Sequence, residues 1–437
     1  MSPPRHTWPD LALQHWQTVR SDQRALAFRR ELGLPVDRPV IMTGHQAHVW
    51  HAGILAKYFA ADSLARQISA AAAWLVVDQD EQDYTPLRYP AHEEGALRAR
   101  EWTLGPAPRA GVAACNVPAF DPGPPPNPPG DEPVFRSVRQ GLSDIARALA
   151  ARRSEPNAAL QVARAVFDLL TPLLELRPLI AATSLGSVSL GSDFIARLRS
   201  EARRAADLYN QAVERFPDSG LTRLRITNDA QQVELPLWRL APGRPRARVF
   251  STDPADPSAI IAPRALVMTG LVRLYACDLF IHGKGGAVYD PVTEDWLSAW
   301  LGVTLAPAAV ATADLYLPLA PKRIEEAEVA RARWRAHRAR HDPALIGDAA
   351  AAAEKSAFVR RIAQLRADHA DPAPEYLRMH QWLERYRAAA APALAALDAE
   401  ARAARDRLAS RDVAFDRTWP FALHAPAALT ALREACR

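Results

Sequence analysis

The chain has 437 residues, is 49% hydrophobic and 24% charged, and carries a formal net charge of +5. That composition describes a globular protein with room for one very large domain or two to three ordinary ones. It excludes a bilayer-spanning class, because no apolar run approaches roughly 20 residues.

The opening MSPPRHTWPD lacks the charged and apolar regions of a signal peptide, so a cytoplasmic location is expected. Cys115, Cys277 and Cys436 are odd in number and far apart, which points to reduced thiols and away from a disulfide frame or zinc site. Arginine far outnumbers lysine, and alanine and proline are abundant. This reads as the base composition of a GC-rich gene. Arg-rich stretches such as Arg331–Arg340 are accordingly read as solvated helix faces, with no nucleic acid expected as partner.

An amphipathic helix is expected over Pro9–Leu32, ending at Gly33. Val40-Ile41-Met42 is too short an apolar run for a helix and predicts a buried parallel strand, stopped by Thr43-Gly44. His45, Gln46, His48 and His51 follow, then Gly53. From Ile54 the spacing turns helical, with Tyr58, Ala61, Ala65 and Ile68 on one face. Ala73–Val77 is a second buried strand ending in Asp78-Gln79-Asp80-Glu81-Gln82-Asp83. The whole is a βαβ unit, which delivers both polar clusters to one sheet edge.

Residues 104–133 are Pro/Gly-rich and irregular, and 134–176 are helical. Leu179–Ala182 is a third strand, and Ser192 or Asp193 caps a helix to about Phe216. Arg223–Ile226, Gln232–Trp238 and Arg248–Phe250 alternate as antiparallel strands of a small insertion. A helix over Ala265–Tyr275 leads to a strand at Leu279–Ile281 and then His282-Gly283-Lys284-Gly285-Gly286. Thr293 or Glu294 opens a further helix, and Val303–Leu305 and Ala313–Leu319 are strand candidates. Lys322–Ser410 is nearly all helix former, broken at Pro343, Pro372, Pro374 and Pro392, with a coiled-coil seam through Tyr376, Met379, Leu383, Tyr386 and Ala390, resumed after a stutter at Pro392 by Leu394, Leu397, Ala401, Ala404 and Leu408. The aromatic stretch Arg411–Arg437, with Phe415, Trp419 and Phe421, is expected to return to the core.

Three clusters carry candidate chemistry. Histidines after a buried strand, at a helix start, suit anion binding and stabilisation of a transferring phosphoryl or acyl group; nucleotide-activating α/β enzymes place a His-x-Gly-His run there, of which His51-Ala52-Gly53-Ile54 is half, with Ile in the fourth place. The plainer reading is that they cap the helix. Asp78 and Asp80, nearest the second strand end, suit holding or deprotonating an amine, whereas Glu81 and Asp83 read equally well as solvated loop. His282–Gly286 offers glycines for close backbone approach and Lys284 for charge, with Tyr289 and Asp290 in reach, but it lacks the spacing of a P-loop. Lys57 in a first helical turn opposes the helix dipole unless an anion is near. His45, His48 and His51 with Asp78 and Asp80 are also a candidate metal set, which would suit a metal-dependent hydrolase.

TGHQ before a Gly-containing helix start, followed by WLVVDQDEQD, resembles the cysteine-adding enzymes of bacillithiol biosynthesis. Those carry TGQQ, a Gly–Pro–Leu helix start and a Glu-Asp-His-Asp-like strand end. Here His45 replaces a Gln, His51 stands where the family has none, and the HGKGG segment only loosely matches a Gly-Gly turn. The resemblance implies an α/β, Rossmann-like core of the nucleotidyltransferase and class I synthetase kind, a small inserted segment, and a C-terminal coiled coil that dimerises. The divisions expected are 1–185 and 261–320 for the core, 186–260 for the insertion, 321–410 for the coiled coil and 411–437 for the return.

The function expected is C–N bond formation between an amino acid, cysteine among the candidates, and an amine such as an amino-sugar. His45, Gln46, His51, Asp78 and Asp80 would be catalytic. Thr43, Gly44, Gly53, Lys57, His282, Gly283, Lys284, Gly285, Gly286, Tyr289 and Asp290 would bind substrate or anion. The cofactor stays open between a nucleotide and another anion, and this reading needs no metal. The alternatives are the metal-dependent hydrolase and a non-catalytic scaffold of the same fold.

Overall fold

The computed structural model describes residues 3–81, 83–93, 96–175, 177–227, 232–319 and 324–437. Gln82 of the acidic run, Leu176 at the end of the expected 134–176 helix, and Lys322 with the expected 320/321 division fall outside these residues. Contacts divide the chain into two compact units. The first comprises Met1–Tyr89, Arg100–Leu317 and Arg417–Arg437, and the second Pro90–Ala99 and Pro318–Asp416. The stretch 186–260, expected as an inserted helix and small antiparallel segment, lies within the first unit.

In the first unit, α1 (Trp8–Val19) and α2 (Gln23–Glu31) occupy the stretch expected to be one helix. Asp22 divides them: its carboxylate accepts from Arg24 N at 2.8 Å and Ala25 N at 3.3 Å, a cap that starts a new helix. Strand β1 (Val40–Gln46) does not stop at Thr43-Gly44, because its pairing with β2 (Ala71–Val77) runs in register to Gln46↔Val77. Helix α3 (Ala52–Gln67) joins them. It is buried nearly all round, so the single apolar face expected from Ile54 onward understates its packing.

Strands β3 (Pro86–Glu93) and β4 (Ala96–Thr103) form a two-stranded ribbon that the apolar pattern does not announce. The helical stretch near 134–176 is two helices, α4 (Pro133–Ala151) and α5 (Ala158–Leu170). Strand β5 (Leu179–Ala181) follows, and then α6 (Ser189–Ser200) and α7 (Ala202–Arg215). The helix therefore begins before Ser192 and breaks at Glu201.

A three-stranded antiparallel sheet is built from β6 (Glu234–Leu240), β7 (Ala247–Phe250) and β8 (Ile260–Pro263) in the order β7-β6-β8. Arg223–Ile226 adds only an isolated bridge, Ile226 to Val233. Helix α8 (Ala265–Leu271) leads through a π-turn to β9 (Leu279–His282), α9 (Lys284–Leu301) and β10 (Ala308–Val310). The expected strands at Val303–Leu305 and Ala313–Leu319 are irregular chain. Helix α9 starts nine residues before Thr293 and runs through Pro291. Its glycines and proline argue against a helix, but burial of Val292, Trp296, Leu297 and Trp300 outweighs that local preference.

The main sheet is five-stranded and parallel, in the order β10-β9-β1-β2-β5. Counted among themselves, these strands run 5-4-1-2-3, which is the doubly wound order. Alternate residues serve two cores. Ile41, Trp74 and Ile281 pack with α3, α5 and Phe421 on one face. Met42, Leu75 and Phe280 pack with α6 to α9 and the small sheet on the other. Below the sheet, both carboxylate oxygens of Asp278 accept from Arg29 Nη2 at 3.0 Å, and Oδ2 also accepts from the Val40 N–H at 2.7 Å, which ties the starts of β1 and β9 together.

Near its end the chain returns to this unit. Trp419, Phe421 and Leu423 are buried, while Phe415 is 63% exposed and takes no part in the core. Phe421 N donates to Trp50 O at 2.7 Å, and Pro420 bridges His51. The last helix, Pro426–Ala435, packs its Leu429 and Leu432 into the α3 core.

The second unit holds α10 (Glu326–Ala339), α11 (Ala349–Ala367), α12 (Ala373–Ala389) and α13 (Ala391–Ala414). The Leu394–Ala404 seam is filled from within the chain. Leu394, Leu397 and Ala401 meet Ala336 and Ala339 of α10, and Ala404 meets Ile324 and Val329. The Met379–Ala390 part of the seam packs on Phe358 of α11 around Trp382.

Candidate functional site

Doubly wound sheets place ligands beyond the carboxyl ends of the strands, where the strand order reverses. Here that point lies between β1 and β9, and a cleft of about 730 Å³ opens there. It brings together Gly44, His45, Gln46, His51, Gly53, Lys57 and Asp80 from the first βαβ unit with His282, Gly283, Lys284, Gly285, Gly286 and Tyr289 from the β9–α9 junction.

Three expected site residues are not on its wall. Thr43 is buried, and its hydroxyl donates to Ile281 O at 2.7 Å, a link between strands. Asp78 is buried beneath β2 and accepts from the backbone and hydroxyl of Thr183, so it fixes the turn after β5 instead of handling an amine. Burial pushes its carboxyl up, against the pull of those hydrogen bonds. Asp290 lies behind His282, with Oδ2 2.8 Å from Arg273 Nη1. Burial raises the Asp290 carboxyl, but His282 and Arg273 outweigh it and leave it below its ordinary range.

The histidines divide by role. His51 caps α3: its Nδ1 accepts from Gly53 N at 3.1 Å, and its carbonyl accepts from Ile54 and Leu55. The capping reading is thus realised, and α3 has little free N–H to offer an anion. A side chain at Gly53 would meet the His51 ring at 2.8 Å and Ala313 O at 2.9 Å, so this position requires glycine. His45 and His48 pack edge to face, with ring centroids 4.9 Å apart, and the Nδ1 of each is buried without a partner. Desolvation, with Lys57 and the neighbouring histidines adding to it, pushes His45 well down. Desolvation, then His51 and Lys57, pushes His48 down to about 4. Both are neutral imidazoles at pH 7.

Lys57 does not supply the open positive charge expected of it. It is 4% exposed, its ammonium donates to Gly44 O, and burial pushes it down to about 7.

The β9–α9 junction is the opposite case. Gly283 is the N-cap of α9 and has no side chain to satisfy the helix, whose first turn contains no Asp or Glu. The N–H groups of Lys284, Gly285 and Gly286 find no acceptor among the described residues. Lys284 is exposed at the first helical position. His282 lies beneath: its Nε2 is 3.2 Å from Asp290 Oδ2, an ion-pair approach without hydrogen-bond alignment. Of the three glycines, only Gly286 is sterically required, since a Cβ there would sit 2.4 Å from His282 Nδ1. Gly283 and Gly285 have nothing within 4 Å, so the segment is an open helix start and not a crowded turn.

Sequence reasoning missed the third wall, supplied by the small sheet. Arg246 and Arg264 stack over Trp238 at 4.4 and 4.8 Å from its ring centroid. Arg264 is held by Glu234 at 2.6 Å. Arg246 reaches Asp80 at 3.4 Å and Glu81 at 2.8 Å. Asp83 only closes a local turn onto Thr85. Nothing in the strand alternation of β6 reveals this wall, because it depends on how the sheet docks against the main one.

Among the described residues no group of three or more His, Cys, Asp or Glu is placed to hold a metal ion. The set His45, His48, His51, Asp78 and Asp80 does not converge, because His51 is turned to its own helix and Asp78 to Thr183. No helix among the described residues is long and apolar enough to cross a membrane. No known family model matches the chain, and no curated protein is detectably similar to it.

Proposed function

We propose that this chain is a C–N bond-forming enzyme that joins an amino acid to an amine in the β1/β9 cleft. A substrate carboxylate or phosphate would be held at the start of α9. One observation carries the reading. Helix α9 opens with a glycine cap, no acidic residue in its first turn, three free N–H groups and a lysine at its first position. That is the reverse of what stabilises a helix start by itself, since a cation there costs about 0.3–1 kcal/mol. An anion seated on the N–H groups converts each of these features from a cost to a contact.

The likeness to the bacillithiol cysteine-adding enzymes supplies the reaction class, with cysteine as one amino acid to try and an amino-sugar as one amine. His282 and Lys284 would face the anion, and Arg246 and Arg264 would border the rest of the substrate. A nucleotide is one anion of the right kind. Dimerisation through the C-terminal helices belongs to the same likeness.

Calorimetric titration with nucleotides, cysteine and amino-sugars tests the reading. Lys284→Met keeps much of the side-chain length and removes a charge-assisted bond worth about 1.5–3 kcal/mol. Affinity for the anionic ligand should fall roughly tenfold or more while the melting temperature holds. Unchanged affinity would remove Lys284 from the site, and no binding by the wild type would favour a scaffold.

A further inference from the structure

Only four of the chain's 54 basic side chains are lysines. Two of the four, Lys57 and Lys284, line the same cleft. Where this cleft needs fixed positive charge, at Arg246 and Arg264, it uses arginine like the rest of the chain. Arginine cannot give up its proton in a protein, whereas a buried lysine readily does. A lysine at a buried cleft position in so arginine-rich a chain is therefore a group that can release its proton where an arginine could not.

The geometry at Lys57 agrees. Its amine donates to Gly44 O and has no carboxylate within ion-pair distance among the described residues. His45 and His48 face it from β1 and the following turn, His51 from the start of its own helix, and the Tyr58 ring centroid lies 5.7 Å away. None of these supplies a negative charge at neutral pH. The two aspartates that sequence favoured for handling the amine are otherwise engaged: Asp78 with Thr183, Asp80 with Arg246. Asp80 lies on the cleft wall but faces Arg246, and Lys57 lines the same cleft with no carboxylate partner among the described residues.

We propose that Lys57 is the base that takes the proton from the incoming amine, which rests on the ligase reading above. The substrate ammonium passes one proton to the Lys57 lone pair. The free amine adds to the carbonyl carbon of an activated acyl donor of the acyl-phosphate type. The leaving group departs with the bonding pair and a proton from the new amide nitrogen, and Lys57 returns its own proton to solvent. Burial is what readies the group, since it brings the ammonium down to about 7 from the ordinary 10.5.

Trace acetylation of the full-length protein with acetic anhydride from pH 5 to 12, read lysine by lysine by mass spectrometry, tests this without a known substrate. Lys57 should reach half its plateau at about pH 7. Half-labelling near the ordinary 10.5, or no labelling at any pH, overturns the proposal, because the amine would be charged or closed off from the cleft. Lys57→Arg, which keeps a donor for Gly44 O, should leave anion affinity within about twofold. A tenfold loss would make Lys57 a binding group and overturn its role as base. The ligase reading fails separately, if nucleotides, amino acids and amino-sugars all fail to bind while Lys57 still labels near pH 7.

Discussion

Gly285 and Gly286 are adjacent at the start of α9 and differ in what a methyl group would meet. At Gly285 there is open space; at Gly286 a Cβ falls 2.4 Å from His282 Nδ1. Gly285→Ala should hold or raise stability, by up to about 1 kcal/mol from helix propensity. Gly286→Ala should displace the His282 ring, lower the melting temperature and weaken anion binding. Equal behaviour of the two variants in thermal melts and titrations would mean that His282 is not seated as described. At this scale the sequence was legible for residue type and misleading for role. His45, His51, Lys284 and Gly286 do reach the cleft, yet Thr43 and Asp78 turn inward, because side chains alternate faces along a strand and only pairing with a third strand shows which face is buried. Lys57 is legible as a cation; its burial, which pushes its ammonium down to about 7, depends on packing that no local spacing encodes.

Secondary-structure elements are legible where apolar residues form short unbroken runs or keep a strict spacing. Strands β1, β2, β5 and β9 are of the first kind. The β3–β4 ribbon is silent in the sequence because its faces are mixed, and three glycines and Pro291 mask the start of α9. The C-terminal seam was legible as spacing but not as partnership. Leu397 is 8% exposed and packs on α10 of the same chain. Leu397→Asp buries a charge with no partner and should destabilise the helical unit by about 3 kcal/mol or more. Chemical denaturation followed by circular dichroism would detect this as an earlier helical transition. An unchanged transition, with a lowered oligomer mass in light scattering, would show instead that the seam joins two copies.

For the whole molecule, the buried histidines set the acid limit. His48 and His424 are held down to about 4, in His424 by burial alone. The unfolded chain binds these protons near 6.5, so between pH 6.5 and 4 it takes up more protons than the folded chain. Stability therefore rises with pH across that window and is lost as pH falls through it, each tenfold difference in proton affinity being worth about 1.4 kcal/mol. Melting temperatures should drop steeply from pH 6.5 to 4, and His48→Gln should flatten that slope; an unaltered slope would take His48 out of the acid limit. On the reading proposed above, the doubly wound sheet takes its anion at the start of α9 and not at the start of α3. Backbone amide NMR during a titration with AMP or inorganic phosphate tests this most directly. The amides of Lys284, Gly285 and Gly286 should shift together and saturate, while Gly53, whose N–H is held by His51, stays within the noise. Shifts centred on Gly53, or none at the α9 start, would contradict it.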